Sequence, residues 1–127
     1  MTCVTVLLFN LICGTPYAVD GDTLRFGNRS VRLWGVDAAE LHEPGGANAR
    51  QVLQNLAGRK TVWCRVRTMD GYGRHVARCY VGSVEINREV VARGAALDCR
   101  RYSGGAFASV EPVGIRTKLS QKPYCKA

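Results

Sequence analysis

Residues 19–40, VDGDTLRFGNRSVRLWGVDAAE, decide the fold of this chain. Leu24 and Phe26 are apolar residues at alternate positions, which is typical of a strand with one face toward a core. Asp22 precedes them with the same parity, so we expect its carboxylate to point inward at the mouth of that strand, sheltered but reachable. A Gly-Asn pair at 27–28 predicts a tight hairpin turn that returns the chain beside this strand.

The returning strand is predicted over residues 30–36 and carries Arg32 in its interior. Asp37 and Glu40 follow just beyond its end, and the hairpin brings Asp37 back near Asp22. Carboxylates, backbone carbonyls and waters supply the oxygen ligands that hard divalent cations prefer. Two carboxylates alone would bind an ion weakly, which suits a catalytic ion that keeps positions open for a phosphate and a water.

A second tight turn is predicted at residues 70–73, DGYG, between strands over 60–68 and 74–81. Arg74 therefore leaves this turn at the start of a strand. An Asp-Gly turn of this kind would form a hairpin in any protein, and an arginine at its end is by itself usually solvated. A catalytic role for Arg74 is favoured because the carboxylate cluster upstream suits the same chemistry, the binding of a metal ion and a phosphate.

Three motifs together resemble the staphylococcal nuclease-like (thermonuclease) family. They are DGDT at 20–23, R-L-x-G-V-D-x-x-E at 32–40 and DGYGR at 70–74, in the family's order and approximate spacing. The resemblance covers about residues 11–107. Members of that family are OB-fold phosphodiesterases that use calcium to cleave DNA and RNA. The resemblance therefore implies an α+β fold that is mainly β, with a five-stranded OB-fold barrel and two or three short helices.

The resemblance implies a calcium site. Asp22 and Asp37 match the family's calcium-ligand carboxylates, and Ala38 would supply its main-chain carbonyl. Asp20 would support this shell from the adjacent turn. The run DAAE at 37–40 lacks the threonine and proline of the family's usual D-T-P-E. We expect this departure to spare the carbonyl ligand and to loosen the placement of the glutamate.

The resemblance also implies residues that act on the phosphate. Glu40 matches the proposed general base, and Arg32 and Arg74 match the two arginines that grip the scissile phosphate. Tyr72 matches a tyrosine that contacts the bound nucleotide. We therefore predict these four side chains as the catalytic and substrate-binding residues.

The composition bounds the number of domains and the kind of partner. A chain of 127 residues with 46% hydrophobic residues suits one domain with one core. Its 18 basic residues against 10 acidic residues give a net charge of +8, which favours polyanions such as nucleic acids. A basic balance is also common in small exported proteins, so charge alone does not decide the partner.

The two ends of the chain differ in pattern from its middle. We expect residues 1–10 to be an N-terminal stub or export-related remnant, and residues 11–127 to form the single domain. The apolar start is too short for a membrane span and lacks the basic residues that open a signal peptide. From about residue 108, Pro112 and Pro123 permit only short turns, where family members often continue into a long helix.

Two helices and a loop are predicted between the strands. Apolar residues recur at helical spacing over 49–56, and Gly58 supplies a stop. A shorter helix is predicted over 86–93, with Asn87 as its N-cap. The loop that contains His42 should rim the site. His42 itself is open to two interpretations, a metal or phosphate contact or a solvated side chain.

Six cysteines are more than a small reduced cytosolic protein usually carries, and none forms a C-x-x-C pair. Disulfides are the favoured interpretation. Cys64 and Cys79 flank the turn at 70–73 symmetrically, which places them opposite one another in a hairpin and makes a cross-strand bridge available. Two buried thiols that face one core are the alternative.

The other four cysteines are less constrained by the sequence. We expect Cys99 and Cys125 to staple the C-terminal tail to the domain. Cys3 and Cys13 are left, and the sequence does not pair them. Disulfides indicate an oxidising compartment, so we expect a secreted or periplasmic protein.

The charged residues of the three motifs and the family resemblance together predict a metal-dependent phosphodiesterase. The predicted function is a calcium-dependent nuclease that hydrolyses DNA and/or RNA with little sequence specificity, acts on single strands and works as a monomer. The alternative is a noncatalytic OB-type module that binds single-stranded nucleic acid through its basic surface. A third interpretation is a disulfide-stabilised extracellular protein whose carboxylates form only structural ion pairs.

Overall fold

A computed structural model describes Cys3 and residues 10–126, and over these residues the chain forms nine strand segments and three α-helices. The strands are β1 Leu11–Gly14, β2 Tyr17–Asp20, β3 Thr23–Phe26, β4 Arg29–Leu33, β5 Val36–Ala38, β6 Val62–Met69, β7 His75–Val81, β8 Val84–Glu85 and β9 Ala96–Asp98. The helices are α1 Gly46–Ala57, α2 Ile86–Ala92 and α3 Arg100–Ser103. Apart from Cys3 and Asn10, the predicted stub over 1–10 lies outside the described residues.

The main sheet runs in the order β1-β6-β7-β4-β3-β2, with β8 paired to β7. Its pairs are antiparallel except β4 with β7, which run parallel with Arg32 opposite Val76. The first and last strands of this order, β1 and β2, are consecutive in the chain and are separated only by Thr15 and Pro16. The sheet therefore curls onto itself, and five strands close the predicted OB-type barrel when β1 and β2 are counted as one bent strand.

The strand predicted over 30–36 is wrong at its far end. β4 stops at Leu33, because Gly35 adopts a left-handed conformation with φ 74° that ends the strand. The next segment, β5, pairs antiparallel with β9 and contains Asp37, which the sequence had placed beyond the strand. A side chain at position 35 would also lie 2.9 Å from the Cβ of Ser103, so only glycine fits there.

The predicted helix over 49–56 is confirmed as α1, which packs on the barrel beside β2. Its apolar face buries Ala49 and Leu53 in the core. Two polar contacts fix its position on the strand. The Gln54 side chain accepts a hydrogen bond from the Ala18 N–H at 2.8 Å, and Arg50 Nε donates to the Ala18 carbonyl at 3.2 Å.

Asn87 is not the N-cap of the second helix. α2 begins at Ile86 with Glu85 at the cap position, and Asn87 is fully buried inside the first turn. Its Oδ1 accepts from the Cys79 N–H at 2.9 Å, while its Nδ2 donates to the carbonyls of Trp34 and Ala77 at 2.9 and 3.1 Å. The side chain thus joins α2 to β7 and to the link between β4 and β5.

Three disulfides bridge the chain. The predicted bridges Cys64–Cys79, between β6 and β7, and Cys99–Cys125, at the tail, are both confirmed. The third pairs Cys3 with Cys13, which the sequence had left open. Three bridges are typical of proteins that fold in an oxidising environment.

Beyond α3 the chain continues in short 3-10 turns, over Ala108–Val110, Ile115–Thr117 and Pro123–Lys126. Among the residues that the structure describes, no helix is both long enough and apolar enough to cross a bilayer.

Candidate active site

A cleft of about 1120 Å³ opens on one side of the barrel, between β4 and the turn that joins β6 to β7. Four predicted site residues, far apart in the chain, share its wall: Arg32, Glu40, Tyr72 and Arg74. Trp34, Tyr102 and Tyr124 add further aromatic rings to its lining. The cleft therefore has positive charges, the carboxylates of Glu40 and Asp70, and aromatic faces on a common surface.

Arg32 is held from behind by backbone and carboxylate oxygens. Its Nη1 donates to the carbonyls of Leu33 and Val36 at 2.9 and 3.0 Å and lies 3.4 Å from Asp22 Oδ2. Burial alone would lower the pKa of Arg32, but the Asp22 carboxylate and the Tyr124 hydroxyl stabilise the cation, so this pKa lies above its ordinary value. The guanidinium is a permanent positive charge in a fixed position.

Asp22 and Asp37 form a sheltered acidic pair beside Arg32. Their residues are only 7% and 4% exposed. Asp22 Oδ2 accepts from the Ala38 N–H at 3.0 Å, and Asp37 Oδ2 accepts from the Lys122 N–H at 2.9 Å. Burial raises the pKa of Asp37, and the charge of Asp22 adds to this effect against the opposing contribution of Lys122. The charge of Asp22 therefore makes the ionised form of Asp37 less favourable.

Asp20 adds a third carboxylate to this region. Its Oδ1 accepts from the Asp22 N–H at 3.1 Å. Burial and, next, the charge of Asp22 raise the pKa of Asp20 to about 6. Carboxylates that repel one another in a sheltered place fit a hard cation, which relieves the repulsion.

Asp22 and Asp37 offer only a small set of protein ligands for a hard divalent cation. Within the described ranges, no group of three or more His, Cys, Asp or Glu side chains is arranged to hold a metal ion. The site would thus offer two carboxylates, Asp22 and Asp37, with backbone oxygen and water to complete the shell. Ala38 lies beside them, and its N–H bonds to Asp22, while the role predicted for its carbonyl stays a prediction.

Gly21 explains how this acidic segment fits against the rest of the fold. A Cβ at this position would lie 2.5 Å from the Cβ of Ala49 in α1 and 2.7 Å from the Cβ of Ala38 in β5. Only a glycine permits so close an approach. The turn that carries Asp20 and Asp22 is therefore wedged between a helix and a strand.

Asp70 aims Arg74 into the cleft. Asp70 Oδ1 accepts from the N–H groups of Tyr72 and Arg74, both at 2.9 Å, and its Oδ2 accepts from Arg74 Nε at 2.7 Å. The guanidinium carbon of Arg74 also lies 5.6 Å from the ring centre of Tyr72. One carboxylate thus organises both the turn and the arginine that follows it.

Glu40 lies at the rim of the cleft with a side chain that is 58% exposed. Its N–H donates to Glu43 Oε1 at 2.7 Å, and the same oxygen accepts from Lys122 Nζ at 2.8 Å. His42 Nδ1 lies 3.8 Å from Glu40 Oε2, but the His42 side chain is largely exposed, as the solvated interpretation expects.

The sequence missed four residues that support this site: Glu43, Asp70, Lys122 and Tyr124. Asp70 belongs to the turn motif, but the motif alone does not reveal that its carboxylate binds the arginine after the turn. The two tail residues carry no local signal, since Lys122 contacts Asp37 across 85 positions. The pairing of Cys99 with Cys125 was the one hint that the tail returns to the domain.

The sequence of this chain is similar to a known protein family and to proteins named as nucleases. The family model of the staphylococcal nuclease homologues matches residues 30–110. A probable staphylococcal-like nuclease, CAN3, of Oryza sativa subsp. japonica is 33% identical over 72 residues, which are 57% of this chain and 19% of that protein. An uncharacterized endonuclease of Haemophilus influenzae is 36% identical over 96 residues, which are 72% of this chain and 54% of that protein.

The chain thus spans about a fifth of the rice relative and about half of the bacterial one. The family model covers more than half of the chain, from β4 through the cleft to the first turn of the tail. This chain therefore belongs to the staphylococcal nuclease homologue family.

Proposed function

We propose that this protein is a calcium-dependent nuclease that hydrolyses phosphodiester bonds of DNA and/or RNA with little sequence specificity. Membership of the family and the nuclease names of its relatives support a nuclease in general. The observation that carries the proposal is the convergence of Arg32, Arg74 and Glu40 on one cleft, beside the buried pair Asp22 and Asp37.

The two arginines would hold the scissile phosphate. A phosphodiester resists attack because its negative oxygens repel the nucleophile, and fixed positive groups offset that charge as it grows in the transition state. Arg32 uses Nη1 for backbone carbonyls, so Nε and Nη2 would be the groups that donate to the phosphate. Arg74 uses Nε for Asp70, and within the described residues its Nη groups have no hydrogen-bond partner.

Asp22 and Asp37, with the Ala38 carbonyl, would hold a calcium ion, whose chemistry is to offset negative charge on the phosphate. Asp20 would support this shell through its bond to the Asp22 backbone. Arg32 lies 3.4 Å from Asp22. Its guanidinium and an ion held by the acidic pair would therefore act on the same phosphate.

Glu40 would orient the attacking water and take its proton. Its exposed carboxylate on the cleft wall can reach a water that a buried acid could not. The water oxygen bonds to phosphorus, one P–O bond of the chain breaks, and the departing oxygen is protonated from solvent. No covalent enzyme intermediate is required. Tyr72, which is 87% exposed, would contact the bound nucleotide.

The cleft wall offers charge and aromatic faces, with no pattern that reads base edges, so we propose a single-stranded substrate and little sequence preference. The three disulfides support secretion or a periplasmic location, and we propose that the protein acts as a monomer.

Incubation of the purified protein with end-labelled single-stranded DNA, with calcium or with a chelator, tests this proposal. We expect shortened strands with calcium and intact strands with chelator. Glu40→Gln should bind the strand and retain the fold, but cleave at most a hundredth as fast, roughly the contribution of a general base. Retarded but uncut DNA under all conditions would instead support the noncatalytic binding module.

A further inference from the structure

The C-terminal segment Lys122–Cys125 lies against the candidate active site, although it is distant from that site in the chain. Cys125 is fully buried and bridged to Cys99, which directly follows β9. The Cys99 N–H donates to the carbonyl of Gly35 at 2.8 Å, and Gly35 belongs to the cleft wall. The disulfide thus anchors the tail beside the cleft, at the link between β4 and β5.

Lys122 touches both acidic parts of the site. Its N–H donates to Asp37 Oδ2 at 2.9 Å, and its Nζ donates to Glu43 Oε1 at 2.8 Å. Because Glu43 Oε1 also accepts from the Glu40 N–H, the tail is connected to the loop that carries Glu40. Lys122 therefore fixes the orientation of one proposed calcium ligand and restrains the backbone of the proposed base.

Tyr124 stands on the cleft wall together with Arg32. Its residue is 44% exposed, so the protein covers the side chain only in part. A phenol both accepts and donates a hydrogen bond. Its oxygen can accept from the Arg32 guanidinium while its O–H donates to an oxygen of a phosphate held by the same arginine.

The tail borders the cleft without filling it. With Tyr124 in its wall, the cleft still has a volume of about 1120 Å³, and Arg32, Glu40 and Arg74 remain on its surface. An inhibitory segment would instead separate these side chains from the open space. The geometry favours a working part of the site over an obstruction.

We propose that the disulfide-anchored tail completes the active site, with Tyr124 as a substrate-binding residue that donates to the phosphate gripped by Arg32 and with Lys122 as a positioning residue for Asp37. This inference rests on the proposed nuclease function and adds to it a residue outside the matched motifs, since the family model ends at residue 110. Tyr124 contributes to substrate affinity, whereas Lys122 acts on the chemical step through Asp37.

The test compares wild type with Tyr124→Phe, Tyr124→Ala and the double variant Cys99→Ser/Cys125→Ser. Initial rates on single-stranded DNA with calcium give kcat and KM. Calorimetric titration with a 5′-phosphorylated dinucleotide in the presence of chelator gives a Kd that does not depend on cleavage, and urea unfolding monitors the fold. Tyr17→Phe is the matched control, because Tyr17 is similarly exposed but lies on β2 outside the cleft wall.

We expect Tyr124→Phe to raise KM and the dinucleotide Kd by about tenfold, as for a lost hydrogen bond to a charged group, with kcat and the unfolding midpoint unchanged. The double cysteine variant should raise both constants further and should also lower kcat, because it releases Tyr124 and Lys122 together and Lys122 positions Asp37. Tyr17→Phe should match wild type.

Two results would overturn the proposal about the tail. One is a Tyr124→Phe or Tyr124→Ala protein with wild-type KM and Kd. The other is a double cysteine variant that cleaves faster than wild type, which would make the tail an obstruction. If wild type binds the dinucleotide without cleaving DNA, the nuclease function fails and the Kd values alone judge the tail. If wild type neither binds nor cleaves, both proposals fail.

Discussion

Arg32 and Arg74 reach the cleft from different elements and are held by different partners. Arg32 is fixed from behind by two carbonyls and Asp22, whereas Arg74 is fixed through Asp70. We expect Arg32→Ala and Arg74→Ala each to slow turnover by about a hundredfold or more, because each removes one donor to the transition-state charge. Steady-state cleavage of single-stranded DNA measures this.

Arg25→Ala is the control for both arginine variants. Arg25 lies in the same hairpin as Arg32, but its Nε bonds to the Gly27 carbonyl, and it is not part of the cleft wall. It should cleave at the wild-type rate. Near-normal rates in both Arg32→Ala and Arg74→Ala would eliminate the proposed grip on the phosphate.

We predict that Asp70 affects activity by positioning Arg74 rather than by contacting the substrate. We expect Asp70→Asn to lower the cleavage rate by about tenfold or more, because Arg74 loses the carboxylate that aims it. The fold should survive, since the turn remains. Glu89→Gln on α2 removes a comparable ion pair, which Glu89 forms with Arg93 just after the helix, and should leave activity unchanged. Equal activity of both variants would show that Arg74 needs no such support.

The same carboxylate gives a pH dependence of stability. Burial raises the pKa of Asp70, but hydrogen bonds from Arg74 and Tyr72 outweigh it, so this pKa is below its ordinary value. The stabilisation is therefore complete above the unfolded-state pKa of about 3.9 and is lost as pH falls through the lower folded-state pKa. Urea unfolding of wild type and Asp70→Asn should differ at neutral pH and converge in acid.

At the scale of elements, α2 is tied to the barrel by one side chain. Asn87→Ala would leave the Cys79 N–H and two buried carbonyls without their partner. We expect the free energy of unfolding to fall by about 3 kcal/mol. Urea denaturation measures this value, with Asn55→Ala on exposed α1 surface as the control, expected within about 0.5 kcal/mol of wild type. A small loss for Asn87→Ala would contradict a bracing role.

Local signals in the sequence predicted those strands and helices whose ends are set by a single turn or stop residue. The Gly-Asn turn, the Asp70 turn and Gly58 each act within a few residues, so the two hairpins and α1 could be derived from them. Asn87 was misassigned because an asparagine near a helix start is usually a cap, and only the packed partners on β7 distinguish a buried brace. Gly35 was missed as a strand break for a similar reason, since its neighbour Ser103 is distant in the chain.

For the whole molecule, the net charge of +8 should control how tightly a polynucleotide binds. If about three phosphates are neutralised, single-strand binding should weaken roughly twentyfold between about 50 and about 200 mM salt. Fluorescence anisotropy with a labelled oligonucleotide and chelator measures this binding without cleavage. Affinity that does not change with salt would show that the basic surface takes no part.

The family and the barrel could be predicted because three short motifs carry the resemblance. The position of the tail beside the site could not be predicted, because the contact of Lys122 with Asp37 depends on the complete fold. The expected bridge from Cys99 to Cys125 does not say which side chains it brings to the cleft. The sequence thus predicts the side chains proposed to act on the phosphate, but it does not predict the residues that hold them in place, such as Asp70 and Lys122.

The parallel pairing of β4 with β7 has a consequence for how the protein matures. Neither hairpin alone contains both arginines, and the two reach one cleft only when residues 31–33 pair with residues 75–77, although β5, α1 and β6 lie between them in the chain. Such distant contacts form late and slowly. Before the barrel closes, Arg32 and Arg74 are therefore not held in one cleft. We expect the proposed nuclease activity only after β4 has paired with β7.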